Sequence, residues 1–160
     1  MTRLFLDTEW QSDASRELVS LALVGERVEF YAERDPLPAV PSSFVARVVY
    51  PLLNRGEFAA HDEEFSRRLR AFLGNFRSPP QIVADATIDF TLLRHALNGF
   101  GKDIAGSVPK WRPAHVQGGH VMQGIELYFR KNSEANARRH HALVDAKALK
   151  WAYEAALGNL

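Results

Sequence analysis

A chain of 160 residues, 46% of them hydrophobic and 24% charged, can bury a core of its own, and residues 1–160 read as one globular domain rather than a disordered segment. A formal net charge of +1 argues against the broad basic face of a general nucleic-acid binder, so any contact with a polyanion has to come from local patches. The chain has no cysteine, which excludes disulfides, zinc–thiolate and iron–sulfur centres and thiol catalysis. Any metal must be held by carboxylate or imidazole, donors that suit hard cations such as magnesium or manganese.

Met1–Trp10 already carries an arginine, an aspartate and a glutamate, so it does not read as a secretory leader. No apolar run is long enough to span a bilayer, so no membrane partner is expected, and the cytoplasm is the expected compartment. "RLFLDTEW" opens with Leu4, Phe5 and Leu6, which suits a central strand, and ends in carboxylates. "ELVSLALV" (17–24) and "RVEFYAE" (27–33) are strand-like, and the short turn between them is expected to draw an unusual backbone angle from Gly25. The first third therefore predicts three antiparallel strands.

The proline-rich "DPLPAVPSS" (35–43) is a loop, and "FVARVVYPLL" predicts a short helix ended near Pro51. In "DEEFSRRLRAFLGNF", Phe65, Leu69, Phe72, Leu73 and Phe76 recur at helical spacing, with Asp62 as the expected N-cap and His61 at the helix start. A short strand follows at Ile82–Ala84. The next helix buries Leu92, Leu93, Ala96, Leu97 and Phe100 and is stopped by Gly99 and Gly101. A strand is expected around Ala114–Val116, a helix over "MQGIELYFRKN", and a last helix from near Ala142 to Leu157. The order predicts an α/β fold, a mixed sheet of three antiparallel strands and then parallel ones, flanked by helices.

Four acids stand where apolar residues are expected. Asp7 and Glu9 lie two apart at the end of the first strand, so period two puts both on one face unless the strand has ended and both point to water. Asp89 continues the buried stripe of its helix through Leu92, Leu93 and Ala96, or else caps it. Asp145 lies on the apolar stripe of Leu149, Ala152, Tyr153 and Ala156, inside the first helical turn. Burying an unpaired carboxylate costs several kcal/mol. A divalent cation or an arginine would relieve it. Two-cation phosphoryl chemistry needs such hard oxygen ligands, holding ions about 3.5–4 Å apart.

"LFLDTEW", "ATIDFTLL" and "HHALVDA" together resemble the three motifs of the DEDDh 3′–5′ exonucleases, which have a ribonuclease H-like fold. The likeness covers most of the chain in order and spacing, and it is strongest to the small bacterial stand-alone exoribonucleases of the mycobacterial type, with "ELVS" and "ALVDA" shared. The resemblance implies that Asp7, Glu9, Asp89 and Asp145 hold two divalent cations, Mg²⁺ or Mn²⁺. It implies that His140 is the general base, and that nucleoside 5′-monophosphates are released from the 3′ end of single-stranded nucleic acid, RNA more than DNA. A homodimer is implied as well. The alternative is a catalytically inactive module on the same fold that binds nucleic acid or protein.

His140 has the family's spacing to Asp145. His141 has the spacing at which a sister family places a tyrosine, and a continuous helix would put it over Asp145. Trp10 and Gln11 stand where the family often has Thr-Gly. Trp10 either stacks on the terminal base or packs in the core. Asp85 stands where an asparagine is common; it is either a fifth acid near the site or only a strand-end residue, and it is not assigned as a ligand. Arg130, Lys131, Arg138 and Arg139 bracket the third motif, where they either hold the substrate backbone or are simply solvated. Trp10, His141, Arg138 and Arg139 are the candidate substrate contacts. His115 and His120, on either side of "VQGG", lack an evident third metal ligand, and no serine-hydrolase elbow or phosphate-binding loop is present.

Overall fold

A computed structural model describes residues 1–158. Six strands form one mixed sheet: β1 (Arg3–Trp10), β2 (Leu18–Val24), β3 (Glu29–Arg34), β4 (Ala59–Ala60), β5 (Gln81–Ala84) and β6 (Arg112–His115). Their spatial order is β4-β3-β2-β1-β5-β6. β1, β2 and β3 pair antiparallel, while β5 runs parallel to β1, β6 to β5 and β4 to β3. Five α-helices flank the sheet: α1 (Asp62–Gly74), α2 (Thr87–Leu97), α3 (Gly119–Lys131), α4 (Ser133–Ala137) and α5 (Ala142–Ala156). This α/β layout, antiparallel strands and then parallel ones between helices, is consistent with a ribonuclease H-like architecture.

The strand pattern explains the layers. Leu4 and Leu6 of β1 pack with Phe65 and Leu69 of α1 and Leu93 and Leu97 of α2. Phe5, between them, points the other way, into a second cluster with Ile125 and Phe129 of α3 and Leu149 and Ala152 of α5. β2 is covered on both faces and is buried along its whole length, which is why "LVSLALV" reads as a nearly continuous apolar run. α3 and α5 cross closely at Gly124, where a β-carbon would sit 2.8 Å from the Ala152 methyl. No helix among the described residues is long and apolar enough to cross a membrane.

Three local expectations need correction. Gly25 does not adopt a left-handed angle. Its N–H closes the hairpin by donating to the Val28 carbonyl at 2.8 Å, and a side chain there would meet Val28 and Leu4 at 3.0 and 3.1 Å, so glycine is needed for space. The cap position of α1 is held by His61, and Asp62 is the first helical residue, its carboxylate paired with Arg34 and Lys102. The segment around Pro51 is helical as expected but distorted, a π-turn over Val45–Val49 running into a 3₁₀ turn at Tyr50–Leu52. Gly99 and Gly101, expected to stop α2, do take left-handed angles just past its end.

Candidate metal centre

Parity along β1 carries its acids to one place. Asp7 and Glu9 follow Phe5 on the face that meets α5, and the first turn of α5 brings Asp145 to them. The parallel pairing of β1 with β5 ends at Phe5 and Val83, so Asp85, just past β5, comes level with Asp7. α2 then starts beyond that strand end and supplies Asp89, buried at 1% exposure. Asp89 is the third residue of α2, past the cap position at Ala86, and its Oδ1 accepts the Thr8 hydroxyl at 2.5 Å.

Five acids and one histidine gather in two linked groups. One carboxylate oxygen each from Asp7, Asp85 and Asp89 lie within 4.8 Å of one another. One carboxylate oxygen each from Glu9 and Asp145 and a ring nitrogen of His140 do the same. None of the five acids forms a salt bridge among the described residues. The arginine that could have explained Asp145 is therefore not in contact with it. Nor do Asp7 and Glu9 stand out in water, since both are at least partly buried.

The electrostatics follow from that crowding. Burial pushes the Asp7 carboxyl well above the usual range, and the charges of Asp89, Glu9, Asp145 and Asp85 push it further. Glu9 is raised to about 9 by burial and then by Asp145 and Asp89. Asp89 and Asp145 are each raised to about 7, burial being the largest cause. The Thr8 hydroxyl opposes the shift at Asp89, and the His140 N–H and the Arg139 charge oppose it at Asp145. Two oxygens, Asp7 Oδ2 and Asp145 Oδ1, are buried with no hydrogen-bond partner. Unpaired buried oxygens among acids that repel one another fit a hard divalent cation, which would satisfy the oxygens and cancel the repulsion together.

His140 and His141 have opposite surroundings. α5 starts only at Ala142, and the preceding residues form a turn in which His140 takes a left-handed angle, φ 73°, unusual for a side chain other than glycine. Its N–H donates to Asp145 Oδ2 at 3.0 Å, and its ring stands edge-on to Phe44 at 4.9 Å. Burial and the Arg139 charge lower its pKa. His141 turns inward, 1% exposed, and stacks on Tyr31 at 4.6 Å. Burial lowers its pKa to about 4. The expectation that His141 touches substrate is corrected: its ring is sealed in the core under Tyr31.

A groove of about 490 Å³ opens beside the acids, lined by Glu9, Trp10, Ser12, Asp13, Ser42, Phe44, Val45 and His140. Trp10 thus serves two surfaces, packed against the core on one side and lining this groove on the other. Arg138 is exposed and donates to Asn54 Oδ1 at 2.8 Å. Arg139 pairs with Glu126 and lies over the Phe129 ring at 4.8 Å, while its charge still reaches Asp145. His115 bonds the Asp85 carbonyl at 3.0 Å and shares no candidate metal group with His120 among the described residues.

Sequence reasoning left one member of the site unassigned and missed another. Asp85 had a signal, being an acid one residue past a strand that pairs parallel to β1. Phe44 had none, because its contact with His140 joins the segment after the proline-rich loop to the turn before α5. No protein-family model matches the chain, and no curated protein matches it closely enough to count as a relative.

Proposed function

We propose that the protein is a metal-dependent 3′–5′ exonuclease acting on single-stranded nucleic acid. The observation that carries this reading is the convergence of Asp7, Glu9, Asp89 and Asp145 from three separate elements, with Asp7 Oδ2 and Asp145 Oδ1 buried and unpartnered. These four residues, joined by Asp85, would hold two Mg²⁺ or Mn²⁺ ions. When bound, such ions neutralise a phosphodiester and make water a better nucleophile.

The chain's own groups supply the rest. His140, with its pKa lowered, is neutral near pH 7 and so able to accept a proton from the attacking water. Its strained backbone is pinned by the N–H bond to Asp145, which keeps the ring between the acids and the groove. Trp10 and Phe44 line that groove and offer aromatic surface to the terminal nucleoside. Arg138 and Arg139, beside the same turn, provide positive charge for the strand's phosphates. RNA in preference to DNA, and a homodimer, are proposed on the resemblance of the three motifs.

A 5′-labelled oligoribonucleotide incubated with Mn²⁺ is expected to shorten stepwise from its 3′ end, with nucleoside 5′-monophosphates found by mass spectrometry, and EDTA is expected to stop it. A matched deoxyribonucleotide run in parallel measures the preference. A strand that stays full length with both Mn²⁺ and Mg²⁺ would instead assign the fold a binding role.

A further inference from the structure

A second feature lies away from the acids. Pro79, Arg94, Pro109, Lys110, Trp111 and Arg112 surround an open pocket of about 540 Å³ where β6 begins. Arg94, Lys110 and Arg112 are all exposed, and none of the three pairs with a carboxylate among the described residues. Arg34, Arg55, Arg67, Arg68, Lys102, Arg139, Lys147 and Lys150, by contrast, each have an acidic partner. Arg94 is instead placed over the Trp111 ring at 5.6 Å, and Trp111 in turn stacks on Phe90 at 6.0 Å. An arginine steadied by an indole rather than an acid keeps its N–H groups and its full charge for an anion.

The pocket is related to the acidic centre through two elements. Phe90, under Trp111, is the neighbour of Asp89 on α2. β6 runs from Arg112, opposite Gln81, to His115, opposite Ala84, whose ring bonds the Asp85 carbonyl. Arg112 lies three residue steps from that end of the strand, about 10 Å at the usual rise per residue. A polyanion with its end at the acids would meet, along this edge of the sheet, three positive charges that no acid cancels.

We infer that the Arg94–Lys110–Arg112 pocket binds the phosphodiester backbone of a single strand upstream of the end held at the acidic centre. This rests on the nuclease reading for its substrate class. It accounts for how a chain of net charge +1 grips a polyanion: the charge is concentrated where no acid cancels it.

The test is fluorescence anisotropy with a 5′-fluorescein oligouridylate of about twelve nucleotides in EDTA. The Arg94→Gln/Lys110→Gln/Arg112→Gln variant is expected to bind it about tenfold or more weaker than wild type, with a salt slope smaller by about 2. Lys110→Glu alone, a surface change that leaves the Arg94–Trp111 stack intact, is expected to weaken binding in the same direction. Hydrolysis of the dinucleotide UpU with Mn²⁺, which needs only the acidic centre, is expected to be unchanged in both variants. Equal affinity and equal salt slope in wild type and variants would overturn the inference. So would poly-glutamate displacing the probe as well as unlabelled strand at equal charge, which would point to an acidic protein. If wild type cleaves nothing but the variants still lose binding, the pocket stands and the nuclease reading falls.

Discussion

Two buried acidic regions of this molecule are built on opposite plans. Glu33 on β3 is fully buried, and its carboxylate accepts the Tyr31 hydroxyl at 2.6 Å, the N–H groups of Asn54 and Arg55 at 2.6 and 2.9 Å, and the Arg55 guanidinium at 3.5 Å. At the C-terminal end of β1, Asp7 and Asp145 each keep a buried oxygen with no donor, and their neighbours are other acids. A carboxylate buried for structure is surrounded by donors. Those at the strand end are surrounded by more acids, an arrangement that by itself destabilises the fold and that the proposed cations would resolve.

The comparison is sharpened most by changing one acid in each region. Asp7→Asn is expected to abolish hydrolysis in the labelled-strand assay, and His140→Ala to lower kcat by about a hundredfold or more while leaving Mn²⁺ binding intact. Neither change should unfold the protein. Glu33→Ala, by contrast, strips a buried charge network of its acceptor and is expected to cost about 3 kcal/mol in urea unfolding. A mild effect of Glu33→Ala together with unfolding by Asp7→Asn would reverse the roles assigned to the two regions.

Cation linkage comes next in size. Mn²⁺ at a hundred times its Kd is expected to stabilise the fold by about 2.7 kcal/mol, read as a rise in Tm, and Asp7→Asn to remove that rise. In EDTA the same variant is expected to be more stable than wild type by about 1 kcal/mol, since a repelled carboxylate is gone.

The pH dependence has a definite sign. Glu9 is raised in the fold from 4.5 to about 9, and Asp89 and Asp145 from 3.8 to about 7. Groups raised on folding contribute stability that is complete below their unfolded values and is lost as pH rises through the folded ones. In EDTA, wild type should therefore lose stability progressively from about pH 4 to about pH 9, and Mn²⁺ should flatten the loss. The smallest effect belongs to His141, lowered in the fold from 6.5 to about 4. Its contribution is present above 6.5 and lost as pH falls toward 4, so His141→Phe, which keeps the stack on Tyr31, is expected to flatten that acid limb in denaturation profiles.

Much of this was legible in the residues, and the reasons are geometric. Period two along β1 ties Asp7 and Glu9 to the face of Phe5, and the helical stripe through Leu149 and Ala152 ties Asp145 to that same layer. Local periodicity therefore located the acids of β1 and α5. It could not reach features made by tertiary contact. The two-residue β4, the short α4 and the distorted turns around Pro51 have too little sequence to show a period. His141 looked like a partner of the acids because a continuous helix was one way to draw 138–149. The turn at His140 breaks that helix and sends the two rings to opposite sides. At Gly25 the commonest use of glycine in hairpins suggests a special angle, whereas the closeness of Leu4 and Val28 is the actual constraint.

Anomalous diffraction from crystals soaked in manganese, collected for wild type and for Asp7→Asn, tests the central claim most directly. Two manganese peaks are expected among the carboxylates of Asp7, Glu9, Asp89 and Asp145, with at least one lost in the variant. Wild-type crystals with no peak at these oxygens under saturating manganese, or with an arginine side chain seated among them, would contradict it.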